Sequence, residues 1–253
     1  STMLDDIDGL RLGTNIRSQE KSRQIPILIL VDEDDPAILV KGLDIGIDDY
    51  AICPIDFNEL IARINTQIRR KKYQDALRTG VQDNMEAAIM DSLTKLFNRR
   101  YMDTHLKNLV EEAKSSGGSM SLMTLDIDHF KSVNDRPGWG HHIGDEVLIE
   151  IADRIRKSIR TQDMATRPGG EEFVIIMPTT DLKTAHIIAE RVRQNIEKTP
   201  FTISAEPGSL TCTVSIGVSS LAEGDTPETL LLKSDKALYH AKETGRNKVV
   251  LAQ

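Results

Sequence analysis

The 253-residue chain has only two cysteines, which excludes a disulfide framework and a cysteine-built metal site. Cys53 and Cys212 fall in what read as different domains, without metal-type spacing, and are expected to be ordinary reduced thiols of a cytoplasmic protein. Positive charge is not in excess either. The formal net charge of −7 argues against coating nucleic acid or resting on an anionic membrane surface. No apolar run approaches the roughly 20 residues that cross a bilayer, and no signal peptide opens the chain. Internal repeats and low-complexity tracts are also missing. What remains is a chain long enough to bury one large core or two modest ones.

Proline is absent from Phe57 to about Met90, where apolar residues recur at helical spacing. Leu60, Ile61, Ile64 and Ile68 are followed by Leu77, Val81, Met85 and Ile89, the latter four spaced by four. That narrow stripe predicts a linker helix able to pack on a partner helix. The run Arg69-Arg70-Lys71-Lys72 reads as its solvated face, and Gly80 as a hinge. Before it, Ile25–Val31 reads as a strand, 32–36 as a turn and 37–43 as a short helix.

The densest chemistry lies downstream. Gly169-Gly170-Glu171-Glu172-Phe173 sits between two short apolar segments and reads as a β-hairpin tip. Paired glycines leave the backbone bare for a phosphate, and adjacent carboxylates call for a cation. These five residues alone fit a tight turn with solvated glutamates equally well. Asp126 separates the two readings. The segment Met120–Ile127 is apolar on nearly every residue, as suits a strand covered on both faces, and it ends in a carboxylate that is costly to bury alone. Oxygen ligands from a strand end and a neighbouring hairpin suit Mg²⁺.

The element order from residue 91 is β-α-β-β-α-β, which implies an α/β (α+β) ferredoxin-like sheet with helices on one face. Helices are expected at 100–113, 144–159 and 182–197, with another starting at Thr226-Pro227. Strands are expected at 120–127, 164–177 as a hairpin, 211–219 and 248–251.

Asp126-Ile127-Asp128-His129-Phe130-Lys131, Asn134-Asp135, Gly140-His141, Gly144-Asp145-Glu146-Val147-Leu148 and the hairpin tip together resemble the GGDEF family of diguanylate cyclases. Asp91-Ser92-Leu93-Thr94-Lys95-Leu96-Phe97-Asn98-Arg99-Arg100 and Ala241–Asn247 resemble that domain's opening and closing segments. The resemblance implies a nucleotidyl-cyclase domain over 91–253 that condenses two GTP into cyclic di-GMP and two pyrophosphates as a homodimer. It further implies Mg²⁺ (or Mn²⁺) on Asp126, Glu171 and the Ile127 carbonyl, with Glu172 near the 3′-hydroxyl. Lys131, Lys242 and Arg246 would face the phosphates, over the bare backbone of Gly169 and Gly170, while Asn134 and Asp145 would read guanine. Taken alone, Lys242 is a helix C-terminal lysine and Gly144-Asp145 a helix start.

Arg160-Thr161-Gln162-Asp163 resembles the family's RxxD inhibitory site for cyclic di-GMP, with Arg191 as its neighbour. Two features depart from the family. The loop Arg136-Pro137-Gly138-Trp139 is about two residues longer, and Pro168 stands where an aromatic residue is usual. Trp139 reads as loop packing rather than a stacking platform. The departures keep open a catalytically weak receptor for cyclic di-GMP, or a signalling interaction module. Residues 1–56 resemble the C-terminal part of a two-component receiver domain, read as truncated and degenerate. Val31 and Cys53 replace its usual hydroxyl and lysine, and the phosphoacceptor position falls on Ser1. The resulting division is 1–56, 57–90 and 91–253.

Overall fold

The computed structural model describes residues 3–4, 7–32, 41–42 and 44–252. The chain forms two compact units, residues 1–84 and 85–253. In the first, β1 (Met3–Leu4) and β2 (Ile7–Asp8) pair antiparallel and lead into α1 (Gly9–Ser18). β3 (Leu28–Asp32) and β4 (Asp49–Cys53) pair in parallel. Ile29, Val31 and Ile47 form a small core with Leu10, Ile27 and Ile45. Arg17 fastens α1 to it, donating to the carbonyls of Arg23, Ile25 and Gly46 and to the Asp48 carboxylate. The sequence pattern does not announce α1, whose ten residues include two glycines and only three large apolar side chains, Leu10, Leu12 and Ile16. The helix expected over 37–43 falls mostly outside the described residues, as does Ser1.

The proline-free stretch forms one 33-residue helix, α2 (Phe57–Ile89). Asp56 starts it, its Oδ1 accepting from the amides of Asn58 at 2.8 Å and Glu59 at 3.3 Å. Phe57, Ile61, Ile64, Ile68, Tyr73, Leu77 and Met85 are all exposed on it. Phe57, Ile61, Ile64 and Ile68 share one face while Tyr73 and Leu77 lie on the other side, so the helix exposes apolar side chains without one continuous stripe.

The second unit runs β5 (Phe97–Asn98), α3 (Arg99–Ser116), β6 (Met120–Ile127), α4 (Phe130–Asn134), α5 (Gly140–Ser158), β7 (Met164–Gly169) and β8 (Glu172–Pro178). There follow α6 (Leu182–Lys198), a small hairpin of β9 (Phe201–Thr202) and β10 (Ser209–Leu210), β11 (Val214–Ser220), α7 (Pro227–Glu243) and β12 (Val249–Leu251). Six strands make one sheet in the order β12-β11-β6-β8-β7-β5. All eight residues of the central β6 are buried.

Strand alternation gives each face its own core. Met123, Leu125 and Ile127 join Phe173, Ile175, Val214 and Ile216 against α5 and α6. On the other face, Met120, Leu122, Val174 and Ile176 pack on Met102, Leu106 and Val110 of α3 and Leu230 of α7. Helices therefore cover both faces, not one. A strand buried at every position needs cover on both sides, and that requirement overrides the simple reading from element order. The helix read from residue 144 begins at Gly140, one turn earlier.

α7 lies almost on the backbone of β11. A Cβ at Gly217 would come within 2.0 Å of the Ser234 carbonyl oxygen and 2.2 Å of the Leu238 amide nitrogen. Both are backbone atoms and cannot step aside alone. Gly217→Ala is expected to destabilise the second unit by about 3 kcal/mol, measured as a lowered urea midpoint. An unchanged midpoint would mean that α7 docks elsewhere.

Candidate functional site

β6 and β8 carry the site at one end of the sheet. Their antiparallel register places Asp126 directly across from Glu172, so both side chains lie on the face covered by α3 and α7. The turn between β7 and β8 has Gly169 at φ 157° and Gly170 at φ 56°, and a Cβ at either would meet nothing within 4 Å. The backbone over Glu171 is thus open, and only Gly170 truly needs the left-handed region.

Asp126 is 5% exposed and its Oδ2 lies 2.8 Å from Lys242 Nζ. Burial raises its pKa, the nearby Asp128 adds to this, and the Lys242 and Arg246 cations only partly oppose it. Glu171 is raised as well, first by burial and then by Asp126 and Glu172, with Lys242 working the other way. Two neighbouring carboxylates whose pKa values are both raised form an acceptor set short of positive charge. A hard divalent cation fits them. Among the described residues no three His, Cys, Asp or Glu side chains converge as a ready metal cage, so the remaining ligands would be oxygens of backbone, water or substrate. The Ile127 side chain belongs to the core, which leaves its carbonyl as the group on offer.

Arg246 and Asn247 follow α7 in positive-φ backbone, at φ 59° and 44°. That conformation is costly and needs support. Asp128 supplies it, accepting from the Asn247 amide at 3.0 Å, Thr213 Oγ1 at 2.7 Å and Ser215 Oγ at 2.7 Å. Arg193 and Glu197 hold the Asn247 side chain at 2.7 Å each. Asp128 is therefore a structural acid that sets the turn carrying Arg246. Its place two residues after Asp126 was the sequence signal for it.

A second pairing missed by the sequence reading is Asp91 with Arg167. Asp91 Oδ1 accepts from Thr94 N at 2.8 Å, Thr94 Oγ1 at 2.6 Å and Arg167 Nη1 at 3.0 Å. Burial opposes its ionisation, but these donors outweigh burial and hold its pKa below the ordinary value. Arg167 also donates to the Gly170 carbonyl from Nε at 2.9 Å and Nη2 at 2.7 Å. One guanidinium thus ties the glycine turn to the segment after α2. The Asp-x-x-Thr spacing at 91–94 is a recognisable Asx turn, but its partner 76 residues away is not readable from sequence.

Asn134 closes on the backbone of Gly144, the residue before Asp145. A Cβ at Gly144 would sit 2.1 Å from Asn134 Oδ1, so only glycine permits this approach. Asn134 Oδ1 is buried without a hydrogen-bond partner, and Asp145 is exposed on the second turn of α5 rather than at its start. Lys131 is exposed on α4. The departures from the family are absorbed. Trp139 is 5% exposed and packs as loop structure, with Arg136 stacked 4.1 Å over its ring. Pro168 falls in the register irregularity between Thr166 and Gly169, so its missing N–H costs no regular ladder bond.

The Arg160–Asp163 turn is separate. Asp163 Oδ2 accepts from Arg160 N at 2.8 Å and its Oδ1 is buried without a partner. The exposed Arg160 side chain lines a cavity of about 350 Å³ with Met90, Leu96, Phe97 and Thr161. Arg191 is not brought into that cavity. Its guanidinium is spent on the Ser158 carbonyl at 2.9 and 2.5 Å, and it lines a neighbouring groove along α6. Asn134 and Asp163 carry the only unpartnered buried side-chain oxygens among the described residues. Each lies in one of the two places where sequence predicts a purine. Cys212 is buried, which pushes its thiol up to about 12, and it takes no part.

Residues 88–248 match the GGDEF family, described as "Diguanylate cyclase, GGDEF domain". The response regulator PleD of Caulobacter vibrioides is 49% identical over 246 residues, which are 97% of this chain and 54% of PleD. The diguanylate cyclase DgcP of Pseudomonas aeruginosa is 37% identical over 193 residues, 76% of this chain and 28% of DgcP. The chain thus spans about half the length of PleD. Among solved structures, the coiled coil and GGDEF domain of DgcB from Caulobacter crescentus in complex with c-di-GMP is similar at TM-score 0.66 and 30% identity, covering 76% of this chain and 99% of that one. The GGEEF domain of a Vibrio cholerae diguanylate cyclase is similar at TM-score 0.57 and 36% identity, covering 62% of this chain and 97% of that one. On sequence and fold alike, the chain belongs to the GGDEF family of diguanylate cyclases.

Proposed function

We propose that the chain condenses two GTP molecules into cyclic di-GMP and two pyrophosphates, with product inhibition at Arg160 and Asp163. The observation that carries this reading is the buried Asp126 carboxylate with the half-buried Glu171 near it, both with raised pKa, beside a bare glycine turn. Asp126, Glu171 and the Ile127 carbonyl would hold Mg²⁺ or Mn²⁺, which when bound supplies charge neutralisation at the transferring phosphate. Lys242, now paired with Asp126, then becomes free to face the β- and γ-phosphates with Arg246 and Lys131. Asp145 accepts from guanine N1–H and N2–H₂, a donor pair that adenine lacks, and Asn134 serves another edge of the base.

Each 3′-oxygen forms a bond to the α-phosphorus of the other nucleotide as the bond to pyrophosphate breaks. Two such steps close the ring and release two protons, for which Glu172 is the acceptor in reach of the tip. Positioning dominates the chemistry. A reading as a catalytically weak receptor leaned on the long loop and Pro168; the packing of Trp139 and the ladder irregularity at Pro168 favour the enzyme. Residues 1–56 serve in this proposal as a degenerate receiver-like segment, 57–90 as the linker and 91–253 as the catalytic domain. Among the described residues no helix is long and apolar enough to cross a membrane, and we assign the protein to the cytoplasm.

Glu171→Gln is expected to lower cyclic di-GMP synthesis by about a hundredfold or more. The same change removes a like-charge contact, so the metal-free variant should melt no lower than wild type. Near wild-type turnover in an assay with GTP and Mg²⁺, with nucleotides resolved by chromatography, removes Glu171 from the mechanism.

Arg160→Ala is expected to relieve product inhibition while initial rates stay within about twofold, because the two sites are coupled and not shared. Isothermal titration with cyclic di-GMP decides it: unchanged affinity in the variant places the inhibitory site elsewhere.

One chain holds one nucleotide site, whereas the product is two-fold symmetric, so two sites must face across a C₂ axis. The exposed apolar side chains of α2, among them Phe57, Ile61, Ile64 and Ile68 on one face, offer a partner contact. Specific activity should therefore rise with protein concentration before it levels off. A flat profile from nanomolar to micromolar protein, with a monomeric mass by light scattering throughout, contradicts the dimer.

A further inference from the structure

α5 is a poor helix at the end that matters. Its first turns include Gly140 and Gly144, and its N-cap residue Trp139 makes no side-chain capping bond. Glycines cost helix stability, and uncapped amides leave the first turn prone to fray. Yet these turns carry Asp145, and Gly144 cannot be replaced because Asn134 Oδ1 fills the space a Cβ would need. Something outside the helix must hold it.

The β9–β10 hairpin lies alongside α5 and contacts it at three heights. At its root, Arg154 of α5 stacks 3.8 Å over the fully buried Phe201 ring and donates to the carbonyls of Ile196, Thr199 and Pro200. Higher up, the Glu146 carboxylate accepts from Ser204 N at 2.9 Å and Ser204 Oγ at 2.6 Å. At the tip, Trp139 Nε1 donates to the Glu206 carbonyl at 3.1 Å. Arg136, stacked on Trp139, and the bond from Trp139 N to the Arg136 carbonyl at 3.0 Å brace the tip from the loop side. The residues of the longer loop thus deliver an indole to the hairpin. Asp145 sits between the upper two ties, one residue from Glu146 and six from Trp139.

We infer that the β9–β10 hairpin, acting through Trp139 and Glu146, is the positioning element for the base-reading carboxylate Asp145, so that guanine selection depends on contacts outside the nucleotide pocket. Trp139 and Glu146 touch no substrate in this arrangement; they fix where Asp145 stands. The inference rests on the proposed role of Asp145.

The test compares GTP with ITP, which keeps N1–H but lacks the 2-amino group, by calorimetric affinity and by turnover. Trp139→Phe keeps the ring and loses the donor. Glu146→Ala loses both acceptors while putting the best helix former in α5. The double variant is expected to lose about tenfold of the wild-type preference for GTP over ITP, through weaker binding and raised KM, with kcat for GTP within about twofold. Should it fail to fold, Trp139→Phe alone carries the test with a smaller shift in the same direction. Asp145→Asn is the reference. If Asp145→Asn lowers the preference and the brace variants do not, the positioning role is overturned and the role of Asp145 stands. If Asp145→Asn leaves the preference unchanged, the base-reading assignment falls and the inference with it. A fall in kcat with KM unchanged also overturns it, since that would place the brace in the chemistry rather than in base selection.

Discussion

Asp126 is a carboxylate at the end of a strand that has no exposed residue. Everything around it answers the cost of putting charge there. Lys242 reaches it from the last turn of α7, which in turn requires α7 to lie flat on β11, and that close approach is possible because residue 217 has no side chain. Glu171 is brought near by the neighbouring hairpin and makes the charge problem worse rather than better. In the proposed function that expense is met by a divalent cation, and the open backbone of the glycine turn leaves room for the phosphate it carries.

The segment from Met90 to Phe97 serves two regions of the second unit at once. Asp91 holds Arg167, and Arg167 holds the Gly170 carbonyl, so the conformation of the glycine turn is linked to the residues that follow α2. Met90, Leu96 and Phe97 also line the cavity beside Arg160. The ion pair is partly buried on both sides, at 11% and 21% side-chain exposure. Loss of one partner would therefore leave the other as an uncompensated charge. Such a pair sets geometry more than it adds stability.

The small first unit has a different economy. Three buried aliphatic residues form its described core, and the four-way attachment of Arg17 replaces packing with hydrogen bonds. A unit held in this way gains from any further surface it can cover, and most of α2, with its exposed apolar side chains, belongs to it.

The sequence by itself determined the local elements and the motif chemistry. β6 is bounded as its largely apolar run predicts, the hairpin tip falls on its paired glycines, and α7 begins at its Thr-Pro start. Those signals are local, since each depends on side chains within a turn or a strand of one another. The resemblance put Lys242 toward the phosphates of the same site, and its ion pair with Asp126 was not legible in the sequence, because nothing in either segment names the other. What tertiary structure alone decided were the pairings between distant segments: helices on both faces of the sheet, Asp91 with Arg167, Asp128 under the Arg246 turn, and Trp139 against Glu206. It also set Arg191 apart from the Arg160 cavity by spending its guanidinium on Ser158. Such contacts arise where packing brings two chemically willing groups within about 3 Å. Sequence spacing carries no record of that distance.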